Sequence, residues 1–213
     1  MMVNQRDIAS IIYHARLFDW RSTMLDEPMA QPVDALFALL RARQIDYLLV
    51  GGIALLNYVE GRNTEDIDLI IALPDVRRLN ELRVESQDAN FARATFRSLR
   101  IDCLLTQNHL FDYVDRHCAT QANFRAQTVR LATVEGLLLL KFYALPSLYR
   151  QGDFNRVALY ETDVTMLLPQ YTQPIETLFN ILQAHLSESD LASLREIATE
   201  IEGRIGRFKR KQG

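Results

Sequence analysis

Cysteine is scarce: Cys103 and Cys118 are the only two in 213 residues. They form no C-x-x-C pair, which excludes structural zinc and a cross-linked secreted scaffold. Glycine and proline number 8 and 6, too few for a collagen-like or low-complexity chain. No apolar run nears the roughly 18 residues of a membrane span. The opening Met1–Asp7 lacks the apolar stretch and cleavage site of a signal peptide. These absences predict a soluble protein in the reducing cytoplasm with no membrane partner. A charge excess is missing too, since the net charge is −3, so a wholesale electrostatic grip on nucleic acid is not expected. Lysine is nearly absent, with only Lys141, Lys209 and Lys211 among 24 basic residues. The last two belong to the tail Arg207–Lys211, which reads as a solvated terminus. What the chain does have is 48% hydrophobic and 24% charged residues, enough to bury a core as one domain or as a core with a helical appendage.

Along the chain there is no internal repeat. Ile8, Ile11, Ile12, Ala15 and Phe18 recur at helical spacing, predicting an amphipathic helix over 4–20, and Pro28 and Pro32 mark a connector. Asp34 is placed to cap a helix over Ala35–Arg43. Tyr47–Val50 is a buried strand stopped by Gly51-Gly52, and a helix over Ile53–Val59 follows. Asp66–Leu73 is the next strand and Asp75–Val84 the next helix. Phe91–Phe96 and Leu99–Leu105 form a hairpin turning near Arg97-Ser98. A short helix over Phe111–His117 and a strand over Thr128–Leu131 complete this part. From Thr133 on the pattern is helical: Val134–Leu145, Asn155–Leu168, Ile175–Leu186 and Leu191–Phe208. Strands first and helices last predict an α+β fold, a small mixed sheet flanked by helices and followed by a C-terminal helical region. The expected division is 1–33 as a helical extension, 34–132 as the core and 133–213 as the helical region.

The chemistry concentrates in the acids. On a strand Asp66 and Asp68 face the same way, about 6.6 Å apart at Cα, while Ile67 and Leu69 turn to the core. Asp102 occupies a similar position in the strand Leu99–Leu105, between Ile101 and Cys103. If these strands are neighbours, three carboxylates meet. Two such charges about 5 Å apart repel by roughly 3 kcal/mol at an effective dielectric near 20. A divalent cation removes that cost, and hard oxygen donors favour Mg²⁺ or Mn²⁺. Gly51-Gly52, between strand and helix, exposes backbone amides to an anion such as a phosphate. Taken singly, an Asp-x-Asp suits a solvated edge strand and a Gly pair suits a tight turn; together with Asp102 they favour a site.

Lys141 stands inside the apolar helix Val134–Leu145, with Leu137, Leu138 and Leu145 on its face. An ammonium there needs an anion. Either it grips a nucleotide triphosphate, or it snorkels, or it pairs with an Asp; the first reading is preferred because lysine is so rare in this chain. The four histidines lack ligand spacing. Ser147 and Cys103 have no neighbouring His pattern for nucleophilic catalysis.

Gly51-Gly52, Arg62-x-Thr64-x-Asp66-Ile67-Asp68 and the strand-borne Asp102 together resemble the DNA polymerase β-like nucleotidyltransferase superfamily, in its AbiEii/MenT toxin-like form, over roughly residues 46–168. The resemblance implies catalytic and metal-binding roles for Asp66, Asp68 and Asp102. It implies nucleotide-binding roles for Gly51, Gly52, Arg62, Thr64, Lys141, Arg150 and Asp163. The helix Leu137-Leu138…Lys141…Ala144…Arg150 is similar to the family's Leu-Leu-x-x-Lys-x-x-Ala helix with its following Arg. Asp163 matches the last acid of the family's Lys-Asp-x-x-Asp helix, but Leu159 and Tyr160 replace its Lys and Asp. The implied activity is Mg²⁺- or Mn²⁺-dependent transfer of an NMP from an NTP to a hydroxyl, with Asp102 as proton acceptor. A tRNA 3′ end as acceptor and an antitoxin protein as regulator are implied partners. Transfer to a small molecule or protein, and a catalytically silent binding module, stay open as alternatives.

Overall fold

The computed structural model describes residues 30–60, 66–124 and 127–211. The expected helix over 4–20 lies outside them. The described residues fall into two compact units that part between Thr133 and Val134. No described helix is long and apolar enough to cross a membrane.

The first unit carries β1 (Tyr47–Val50), β2 (Asp66–Ile71), β3 (Arg83–Gln87), β4 (Phe91–Phe96), β5 (Leu99–Leu105), β6 (Ala119–Phe124) and β7 (Gln127–Ala132). Its helices are α1 (Ala30–Ala42), α2 (Gly51–Leu56), α3 (Leu73–Arg78) and α4 (His109–His117). The strands form one mixed sheet in the order β3-β4-β5-β2-β1-β7-β6. The β2–β5 and β1–β7 pairs are parallel and the others antiparallel. The α+β expectation therefore holds.

Register explains where the core and the polar face lie. Leu131, Leu49, Leu69, Cys103 and Ala92 are successive cross-strand partners from β7 to β4, and all five are buried. One residue along each of β1, β2 and β5 the alternation turns to the opposite face. There Val50, Asp68, Asp102, Arg93 and Ser86 form a row from β1 to β3. Asp66, Arg100, Thr95 and Arg83 form the row beside it. A hydrophobic row on one face thus sets a charged row on the other.

Several elements depart from the expected bounds. The helix expected over Asp75–Val84 is only the six-residue α3, and Arg83–Gln87 pairs with β4 instead. That edge strand is exposed at every position, so burial imposed no alternation on its residues. The strand β6 was not expected either; it is the opposite edge, uncharged and partly exposed. The first helix begins five residues early because Pro32 sits within its first turn, where no N–H is needed.

The second unit consists of α5 (Val134–Gln151), α6 (Phe154–Leu167), a 3₁₀ turn over Leu168–Gln170, α7 (Ile175–Leu182) and α8 (Glu188–Lys211). Helix α5 packs against α6, α7 and α8. It runs six residues beyond the expected end at Leu145, straight through Pro146. Burial of Leu145, Pro146 and Leu148 outweighs the local preference to stop before a proline.

Candidate functional site

The three acids come together on one face of the sheet. Asp68 on β2 is the direct partner of Asp102 on the adjacent, parallel β5, and Asp66 is the partner of Arg100. Neighbouring strands lie about 4.8 Å apart and the two-residue step along β2 is about 6.6 Å. All three side chains are half-buried, since hydrophobic neighbours at Ile67, Leu69, Ile101 and Cys103 anchor each strand from the opposite face.

The Gly51-Gly52 turn abuts this row from the β1 side. Gly51 has φ +66°, a left-handed conformation that side chains resist. A Cβ built on Gly51 would stand 1.9 Å from Oδ2 of Asp68. Glycine is therefore required twice, once for the backbone and once for the carboxylate lying on it. Val50, at the start of α2, supplies no side-chain cap to the amides of the first turn. Of the two acids on β2, it is Asp68 that lies against Gly51.

On the other side of the acids stand two arginines that the sequence reading did not assign. Nε of Arg93 donates to Oδ1 of Asp102 at 3.0 Å, and Nε of Arg100 donates to Oδ1 of Asp66 at 2.7 Å. Each is a cross-strand pair fixed by register, Arg93 opposite Asp102 and Arg100 opposite Asp66. The Arg93 guanidinium is held above its ordinary pKa, first by its hydrogen bond to Asp102 and then by that carboxylate's charge, with Asp66 and Glu85 adding less. Burial pushes the Cys103 thiol up to about 12, and the Asp102 and Asp68 charges add to it. That thiol is consequently no nucleophile at neutral pH.

The donor set suits a hard divalent cation: three carboxylates on one face of adjacent strands, with bare glycine backbone beside them. As they stand, each carboxylate is turned to its own neighbour, and among the described residues no group of three or more His, Cys, Asp or Glu side chains converges on one point. Arg93 and Arg100 each occupy one carboxylate oxygen of the set. Their side chains are 54% and 60% exposed, so rotation into water is open to both. The chemistry of the donor set, three hard carboxylates, fits such a cation.

Arg62 and Thr64 fall outside the described residues. In the helical unit, Nζ of Lys141 lies 2.9 Å from Oδ2 of Asp163. The two side chains are 8% and 0% exposed. The ammonium also sits 3.8 Å from the centre of the Tyr160 ring, a cation–π contact at desolvated range. Of the readings left open for Lys141, the structure displays the ion pair with an aspartate. Tyr160, a departure from the family pattern, is the residue that covers it. Arg150 donates to Asp190 on α8.

No protein-family model matches this chain, and no curated protein is similar to it by sequence. Solved structures do resemble it. A nucleotidyltransferase-like antigenic protein from Paracoccidioides brasiliensis superposes with a TM-score of 0.50 at 19% identity, over 79% of this chain and 92% of that one. The antibiotic-resistance factor ANT(2'')-Ia superposes with a TM-score of 0.51 at 15% identity, over 86% of this chain and 100% of that one. At such identities the likeness is one of fold, which this chain shares with both proteins.

Proposed function

We propose that this chain is a metal-dependent nucleotidyltransferase that moves an NMP from an NTP to an acceptor hydroxyl. The observation that carries the reading is the register of β2 against β5, which sets Asp66, Asp68 and Asp102 on one face with Gly51 beneath Asp68. Asp66, Asp68 and Asp102 would hold Mg²⁺ or Mn²⁺. When bound, such ions neutralise the acids and stabilise charge on the attacking and leaving oxygens at phosphorus.

The chain's own residues account for the rest. The backbone amides at the glycine turn, bare of side chains, would suit the nucleotide phosphates on the β1 side. The acceptor hydroxyl oxygen bonds to the α-phosphorus, the bond to the β-phosphate oxygen breaks, and pyrophosphate departs. The hydroxyl proton passes to Asp102, whose carboxylate is half-buried and held in place by its strand. Arg62 and Thr64 belong to this reading as nucleotide contacts by resemblance, as do Gly52, Lys141, Arg150 and Asp163. For Lys141 the ion pair with Asp163 makes a positioning role in the helical unit the better-supported one.

A tRNA 3′ end as acceptor and an antitoxin protein as regulator rest on the family resemblance. A small-molecule acceptor is the second reading, supported by the fold shared with ANT(2'')-Ia over the whole of that chain. One experiment tests the reading: labelled NTPs incubated with total tRNA, a small-molecule panel and candidate proteins, in Mg²⁺ and in Mn²⁺. Label should enter one acceptor class with wild-type protein and vanish with Asp66→Ala and with Asp68→Ala. Label persisting in both variants overturns the metal site.

A further inference from the structure

We propose that Arg93 and Arg100 are the resident counter-cations of the carboxylate site, that divalent metal displaces them, and that they thereby set how tightly the site takes metal. The inference rests on the nucleotidyltransferase reading and goes beyond it, because it concerns two residues for which that reading has no role.

Two independent pairs carry it. Arg93 reaches Asp102 from β4, and Arg100 reaches Asp66 from β5, at 3.0 and 2.7 Å. In each case the arginine takes one of the oxygens that a metal would need, and in each case strand register puts it there. The third acid, Asp68, is the register neighbour of Val50 and Asp102, and its Oδ2 lies against Gly51. The arginines thus meet the outer two acids from the side away from the glycine turn.

Two negative charges left together without metal repel strongly. Paired arginines relieve that repulsion while the site waits for its cation. The pairs can be exchanged because they are exposed. An ion pair in contact with water is weak and its side chains reorient in nanoseconds or less. A divalent cation brings twice the charge of a guanidinium and more than one coordination bond, so it wins the competition. The guanidiniums displaced from Asp102 and Asp66 then offer planar N–H forks, suited to phosphate oxygens, at the rim of the loaded site.

The test is a titration of the full chain with Mn²⁺ alone, reading bound metal by electron paramagnetic resonance. Arg93→Gln and Arg100→Gln should each bind Mn²⁺ about threefold more tightly than wild type, and the double variant about tenfold. Arg116→Gln serves as the charge control, since Arg116 pairs with Asp112 within α4 and should leave the affinity within about twofold. Binding seen only in the double variant also supports the inference, as a latch too tight for Mn²⁺ to open. A double variant that binds no more tightly than a wild type that does bind overturns the inference and leaves the nucleotidyltransferase reading intact. Absence of Mn²⁺ binding in wild type and double variant alike overturns both. All the substitutions are at exposed side chains, and thermal melting verifies that each variant folds.

Discussion

The sheet and the helical region both pair aspartates with cations, and they do so in opposite surroundings. Arg93–Asp102 and Arg100–Asp66 lie on an open sheet face, with side chains between a third and three-fifths exposed. Lys141–Asp163 is sealed between α5 and α6, with Tyr160 against the ammonium. The geometry of contact is similar, 2.7 to 3.0 Å in all three pairs. What differs is water. In the sheet, water can replace either partner, so the pairs can open and the acids can serve another cation. Among the helices, neither charge has an alternative partner in solvent, so the pair holds and acts in packing. Burial, more than distance, decides which charges are available for chemistry.

The largest test of that contrast is Asp163→Ala. It leaves an ammonium buried without its counter-charge and should cost about 3–5 kcal/mol in urea denaturation. Arg100→Gln, by comparison, should cost under about 1 kcal/mol, as exposed pairs do. A small loss for Asp163→Ala would break the comparison, because the lysine would then have water to turn to.

A smaller loss is expected where the sheet site is governed by space and backbone. Gly51→Ala puts a Cβ onto Asp68 and a side chain onto a left-handed residue. The backbone strain costs about 1–2 kcal/mol, and displacement of the carboxylate should abolish label transfer. In Gly51→Ala combined with Asp68→Ala, part of the stability should return while transfer stays absent. Full recovery of stability would mean that the φ of +66° is unstrained for alanine.

The smallest effect concerns a half-buried polar group in the sheet unit, which stands between the open arginine pairs and the sealed lysine pair. The Tyr58 hydroxyl donates to the carbonyl of Ala132 at 2.9 Å. Burial raises its phenol from 10.0 to about 12, partly opposed by a hydrogen bond from Asn57. Because the fold favours the neutral phenol, this contribution is complete below pH 10 and is lost as pH rises through 12. Tyr58→Phe should cost about 1 kcal/mol near neutral pH and flatten the fall of stability between pH 10 and 12. An unchanged alkaline limb in the variant would show the hydroxyl to be solvated.

Much of the site could be read from local pattern, and the rest depended on partners. Alternation alone puts Asp66 and Asp68 on one face, because a strand has period two. By the same rule Arg100, two residues before Asp102, shares its face and could have been recognised. Arg93 was legible too, because a hairpin turning at Arg97-Ser98 pairs Phe96 with Leu99 and so sets Arg93 opposite Asp102. The edge strands β3 and β6 escaped notice because they have little burial, so their residues carry no hydrophobic period. Lys141 was visible as an anomaly, a lone lysine among leucines, but its partner lies 22 positions later on another helix.

By itself the sequence determined the periodicities: which segments are strands or helices in the core, which faces are apolar, and where glycine replaces a side chain. These follow from each residue's own geometry and from burial of its neighbours a few positions away. Only the tertiary structure decided the distant partnerships, namely Asp68 beside Asp102, Arg100 on Asp66, and Asp163 against Lys141. An electrostatic interaction depends on distance through space and on how much water remains, and both quantities come into being only when distant segments pack.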